Sequence, residues 1–155
     1  IKQAFRELDE NYSVDLYGPL IDYTIEDFDN NRFNYKGLLS PESVQDTLIN
    51  YDVLILPTFH EGEGYPGIII EALSVGLPVI TTDWNALNEL IQDDYNGFLI
   101  KPKSKKSLIK AILGITDKKY NMLTKNVEKS NSLFSAGTNI EKLVNSILKL
   151  TNKHS

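Results

Sequence analysis

The sequence predicts an α/β domain: an open, mainly parallel sheet of the Rossmann-like kind, flanked by helices. Short apolar runs rich in Val, Ile and Leu alternate along the chain with segments of helical spacing, the order expected of successive βαβ units. The run from Asp52 to Pro57 is continuously apolar instead of alternating, as befits a strand covered on both faces. The 155 residues, 41% of them hydrophobic and without internal repeats, suffice for one buried core and predict a single domain over 1–155.

Residues 1–10 have helical spacing, with Ile1, Phe5 and Leu8 on one side. No capping residue precedes them, so the first element reads as cut and the domain as truncated at its N-terminal end. Val14–Tyr17, followed by Gly18 and Pro19, reads as a strand and turn, residues 20–31 as an acidic irregular helix or loop, and residues 32–37 as a second strand. Ser40 offers a capping hydroxyl and Pro41 a preset first position for a helix over 41–50. The apolar strand 52–57 is expected in the middle of the sheet. A helix over 66–75 begins at Pro66 and stops at Gly76 and Pro78. There follow a strand over 78–82, a short helix over 85–91, a strand over 96–100 and a helix over 104–115 opened by Ser104. Helices over 117–130 and 138–151 close the chain. The last carries Ile140, Leu143, Val144, Ile147 and Leu150 on one stripe and reads as docked core.

Composition narrows the chemistry. The chain has no cysteine and two histidines, His60 and His154, which removes thiolate catalysis and cysteine metal sites and leaves no expected metal. No apolar run approaches the ~20 residues that span a bilayer, and the first residues lack the form of a signal peptide. A cytoplasmic location is expected. The net charge of −5 conceals a division: residues 1–100 hold 4 Lys and Arg against 18 Asp and Glu, a net −14, and residues 101–155 hold 12 against 3, a net +9. The basic third reads first as a solvated helical face. Its functional alternative is peripheral association with an anionic membrane at the inner face of the cytoplasmic membrane, where each basic residue contributes about 1 kcal/mol.

The most informative stretch is 57–71, a Gly- and Pro-rich loop joining the apolar strand to a helix. Ligands of open α/β sheets sit beyond the carboxyl ends of the strands, where the loops after Gly37, Leu56 and Thr82 converge. The first-turn amides of the 66–75 helix point into the Gly62 to Tyr65 loop and carry the positive end of the helix dipole. Gly67 lies one turn before Glu71 on the same face, so nothing taller than hydrogen covers the approach to that carboxylate. Ile68, Ile69, Ala72, Leu73 and Val75 point elsewhere and read as packing. Glu61 competes with Glu63 for the role of first carboxylate. His60 reads as a bystander, and Trp84 as a shaper of the pocket or a cap on the sheet edge.

Glu63 and Glu71, with Gly64, Tyr65, Pro66 and Gly67 between them and the strand that begins at Pro78 after them, resemble the Glu-x7-Glu signature of the group 1 (family 4) retaining glycosyltransferases. The similarity extends from about Val14 to the C-terminus. It includes the Gly37 strand end, the 52–57 strand, the pair Asn88 and Glu89, and Tyr95 with Asn96 and Gly97. The resemblance implies the C-terminal, donor-binding half of a GT-B enzyme, two Rossmann-like domains facing across a cleft. It implies that Glu71 accepts hydrogen bonds from the ribose hydroxyls of a nucleotide sugar and that Glu63, the candidate catalytic residue, touches the donor sugar near the reacting carbon. The backbone of Gly64, Tyr65, Pro66 and Gly67 would meet sugar and diphosphate, and Leu39 would lie against the base. Glu89 matches a family glutamate at a helix start.

The departing phosphate of such enzymes helps to deprotonate an acceptor that attacks from the same face, so the resemblance implies electrostatic catalysis with no cofactor. The implied partners are a UDP-, GDP- or other nucleotide-sugar donor and a glycan or lipid-linked acceptor held by an N-terminal domain, with no nucleic acid. The family's Arg and Lys for the diphosphate fall on a first strand and helix start without counterpart here; Lys2 and Arg6 come too late. The isolated chain is therefore expected to be inactive. The alternative reading is a non-catalytic α/β module that binds a nucleotide or a protein.

Overall fold

Among the described residues five strands form two hydrogen-bonded pieces, parallel within each. The computed structural model describes residues 1–134 other than 22, 29, 30 and 63. In chain order its elements are α1 (Lys2–Phe5), β1 (Val14–Tyr17), β2 (Phe33–Gly37), α2 (Val44–Leu48), β3 (Leu54–Leu56), α3 (Gly67–Ser74), β4 (Val79–Thr82), α4 (Leu87–Leu90), β5 (Gly97–Ile100), α5 (Lys105–Leu113) and α6 (Asp117–Phe134). β1 pairs with β2, and β4 lies between β3 and β5 with Leu54 opposite Val79 and Val79 opposite Gly97. The expected α/β fold with a parallel sheet and flanking helices is the one observed.

Two apolar layers hold the strands between helices. On one side Ala4, Phe5 and Leu8 pack with Leu108, Ala111 and Ile112 of α5 and with Ile80 and Ile100 of the sheet. Val14 of β1 and Ile55 of β3 lie against this same cluster, so the two pieces share it. On the other side Leu48, Ile69, Ala72, Leu73, Leu87, Leu90 and Val127 bring α2, α3, α4 and α6 onto Val79. The pieces are also joined by hydrogen bonds: Tyr51 donates to the Asp15 carboxylate at 2.7 Å, and its hydroxyl lies 2.7 Å from that of Tyr17. Burial pushes the Asp15 carboxyl up, but the bonds from Asn34 and Tyr51 and the Lys36 ammonium outweigh it and hold the group below the usual range. Burial, together with the hydrogen bonds to Tyr17 and Asp15, pushes the Tyr51 phenol well above its ordinary value.

Several elements differ from expectation for local reasons. The central, fully buried strand is β4, every residue of which is β-branched; β3 is the half-buried edge of its three-stranded piece. The first helix is only four residues long and ends at Phe5. The Arg32 side chain donates to the carbonyls of Phe5, Leu8, Asp9 and Tyr12, which relieves that segment of the need to continue its own helical ladder. The 41–50 helix starts as a 3-10 turn over Pro41–Ser43. The Ser40 hydroxyl does not cap it, because it lies 3.1 Å from the Ser43 hydroxyl. Ser104 does cap α5, accepting from the Ser107 amide at 3.2 Å. α6 runs on past residue 130 to Phe134, and the helix expected over 138–151 lies outside the described residues.

Candidate functional site

The carboxyl ends of the strands carry the loops that build the site. After β3 the chain runs through 57–65 into α3. Pro66 stands at the N-cap with extended backbone (φ −63°, ψ 120°), one position earlier than the first helical turn where the sequence places it. Its carbonyl accepts from the Ile69 amide at 3.0 Å. No side chain caps this end of α3, so its first amides remain directed into the loop. The other end closes in a Schellman arrangement. The Leu77 amide donates to the Ala72 carbonyl at 2.9 Å and the Gly76 amide to the Leu73 carbonyl at 3.1 Å, a turn that needs the left-handed Gly76 (φ +85°). Both ends of α3 are therefore set by backbone geometry and packing.

The predicted binding residues take distinct places on this frame. Gly64 and Tyr65 are exposed in the loop, and Gly67 is the first residue of α3. A Cβ added to Gly64 or Gly67 would meet nothing within 4 Å, so the approach over the helix end is open. Glu71 is half-buried one turn on, opposite the packed face of Ile69, Ala72 and Leu73. Among the described residues no hydrogen bond or ion pair to the Glu71 carboxylate is formed. Leu39 is half-buried two residues past the left-handed Gly37, in the other hydrogen-bonded piece of the sheet. Glu63 lies outside the described residues. Among those described, no group of three His, Cys, Asp or Glu is placed to hold a metal.

Residues given lesser roles in the sequence hold the loop. The Trp84 indole donates to the His60 carbonyl at 3.1 Å, and the Asn85 amide to the Glu61 carbonyl at 3.2 Å. Thr82 donates to the Thr58 carbonyl, and Tyr65 to the Glu89 carboxylate. His60 turns inward on its own loop, its Nδ1 accepting from the Gly62 amide at 3.1 Å.

Beside this loop a cleft of about 560 Å³ opens between α1 and the β5–α5 turn, lined by Lys2, Arg6, Lys101, Lys103 and Lys105 together with Tyr23, Asp27, Pro57, Phe59 and Thr82. Lys103, itself left-handed (φ +57°), sets its ammonium 4.6 Å from the centre of the Phe59 ring. Lys2 pairs with Asp27 at 3.2 Å; the Thr24 amide and this ammonium together hold the Asp27 carboxyl below its usual range. The basic side chains of this rim form a local surface that the count of charges did not place. The available signal was the position of Lys101 and Lys103 directly after the fifth strand.

The parallel sheet flanked by helices, with an uncapped helix end at its carboxyl edge, places the domain in the Rossmann-like α/β class. Residues 2–118 match the family described as Glycosyl transferases group 1, and the chain belongs to that family. It is 39% identical over 100 residues, 64% of its length, to an Escherichia coli UDP-Gal:alpha-D-GlcNAc-diphosphoundecaprenol alpha-1,3-galactosyltransferase, of which the match covers 24%. It is 38% identical over 76 residues, 49% of its length, to a putative teichuronic acid biosynthesis glycosyltransferase of Bacillus subtilis, of which the match covers 19%. The chain thus spans about a quarter or less of the length of these relatives. Its fold matches that of Anabaena HepE in complex with UDP, with a TM-score of 0.81, 19% identity, and coverage of 96% of this chain and 43% of that one. The structural neighbours are GT-B glycosyltransferases, and this chain has the α/β fold of one of their domains.

Proposed function

We propose that this chain is the donor-binding domain of a family 4, retaining glycosyltransferase that transfers a hexose-type sugar from a nucleotide to a polysaccharide or glycolipid acceptor. The observation that carries the reading is the half-buried Glu71 carboxylate, without a partner among the described residues, beside the uncapped end of α3, with open space over Gly67. A carboxylate in such a place is costly to leave unsatisfied, and two vicinal hydroxyls satisfy it bidentately. Glu71 therefore takes the ribose hydroxyls. The amides at Gly67 and Ile68 and the Gly64 to Pro66 backbone face the diphosphate and sugar, Glu63 stands near the reacting carbon, and Leu39 lies against the base.

UDP is the first nucleotide to test, because several of the matched solved structures, Anabaena HepE among them, are described as complexes with UDP. The galactosyltransferase relative is named for a diphosphoundecaprenol-linked substrate, which supports a lipid-linked acceptor here. On this reading catalysis is electrostatic: the site stabilises the leaving diphosphate and an oxocarbenium-like sugar, and the departing phosphate takes the acceptor proton. A helix end alone offers about 0.3–2 kcal/mol toward an anion, so the isolated chain binds donor without turnover. It acts in the cytoplasm, at the inner face of the membrane where lipid-linked acceptors reside. No helix among the described residues is long and apolar enough to cross a membrane.

NMR titration of the chain with UDP, GDP and their sugars provides the test. Shifts confined to 37–39 and 62–71, and a loss of affinity of about tenfold or more in Glu71→Gln, as expected for a charge-assisted hydrogen bond of about 1.5–3 kcal/mol, support the reading. Absence of shifts at millimolar ligand overturns it.

A further inference from the structure

Four side chains from the end of β4 and the residues after it reach the 57–65 loop: Thr82 at the Thr58 carbonyl, Trp84 at the His60 carbonyl, Asn85 at the Glu61 carbonyl, and Glu89 at the Tyr65 hydroxyl. The first anchor is rigid, because Thr82 is fully buried in the central strand. The second is rigid too, because the Trp84 ring packs against the core cluster beneath α3 and α4 while its N–H faces outward. Asn85 adopts φ +47°, a left-handed conformation that Asn tolerates better than most residues, and this turn brings two consecutive side chains to bear on one loop.

We propose that Trp84 and Asn85 are positioning residues for the sugar-binding loop: by holding two successive carbonyls, of His60 and Glu61, they set the direction in which the chain enters Gly62 to Tyr65 and so the placement of that loop over the end of α3. The inference rests on the donor-site reading given above. Hydrogen bonds to successive carbonyls fix the planes of both peptides, which a single bond does not. With the planes fixed, the residues that follow approach Gly67 and Glu71 in one register. Released, the loop samples several, and a bound sugar must bear the entropy of ordering it. The nucleotide, held at Glu71 and by the amides of α3, does not depend on the two carbonyls. Trp84 and Asn85 thus act on sugar recognition and leave nucleotide binding in place.

Two variants separate this role from folding. Trp84→Phe keeps an aromatic ring in the core and removes the N–H; Asn85→Gly keeps the left-handed turn and removes the donor. Hydrogen exchange on the unliganded chain should show faster amide exchange confined to 59–65 in both. Titration with UDP and with UDP-glucose or UDP-galactose should show a ratio of sugar-nucleotide to UDP affinity that falls about 3- to 10-fold, as expected for one hydrogen bond lost from an ordered loop. The affinity for UDP itself should change less than about twofold.

Unchanged exchange at 59–65 in the Asn85→Gly protein, whose altered side chain is exposed, overturns the proposal whatever ligand the chain binds. So does an unchanged affinity ratio in both variants. Failure of the wild-type chain to bind any nucleotide sugar strikes instead at the donor-site reading, and the exchange measurement then still decides whether Trp84 and Asn85 hold the loop.

Discussion

Replacing Gly67 by Ala should move stability and binding in opposite directions. Gly67 is the first residue of α3, exposed, and a Cβ built there meets nothing within 4 Å. Its backbone lies outside the left-handed region, so alanine fits without strain. Gly-to-Ala exchange in a helix is worth about 0.5–1 kcal/mol through reduced backbone entropy, and at the first helical position the gain lies at or below the lower end of that range. The folded domain should therefore melt at the same temperature or slightly higher. The space that the methyl enters is the approach to the end of α3, where a bound sugar diphosphate would make van der Waals contact. Overfilling a packed contact costs about 1–3 kcal/mol, which corresponds to roughly a 5- to 150-fold loss of donor affinity. Thermal denaturation and isothermal titration with a UDP-sugar on one preparation read both quantities. A Gly67→Ala protein that binds donor as tightly as wild type refutes the placement of the ligand over this helix end. A protein destabilised by more than about 1 kcal/mol, against the gain expected for glycine to alanine, refutes the description of the site as open.

Gly97→Ala should destabilise the domain by about 3 kcal/mol or more in urea denaturation, because the new Cβ would lie 2.1 Å from the Val79 carbonyl oxygen and 3.1 Å from Ile91, and neither the central strand nor the core can give way. Asp15 makes stability depend on acid pH. Its folded-state pKa is lowered, so its contribution is fully present above the unfolded value of about 4 and is lost as pH falls through the folded value. Asp15→Asn should cost about 1–2 kcal/mol at pH 7, given charge-assisted bonds from Tyr51 and Asn34. It should also flatten the fall in melting temperature below pH 4, as thermal scans across pH 2–7 would record.

Much of this domain is legible in one dimension because its rules are local. β1 lies at Val14–Tyr17 as read, since an apolar run ended by Gly18 and Pro19 leaves few alternatives. Ser104 caps α5 and Gly76 ends α3 because capping depends on residues within one turn. The early end of α1 was not legible, since the carbonyls that close it are bonded by Arg32, more than twenty residues away. Nor was the identity of the central strand: apolar content is similar in β3 and β4, and only the pairing shows which has a neighbour on each side.

The site divides along the same line. Glycines at 64 and 67, a proline before a helix and a glutamate one turn inside it determine by themselves that an open helix end faces a carboxylate, because helical periodicity fixes which residues share a face. What holds the loop over that end was decided only by the tertiary structure. The donors on Trp84 and Asn85 meet the carbonyls of His60 and Glu61 because two parallel strands end side by side, a proximity set by strand pairing across 24 residues of sequence.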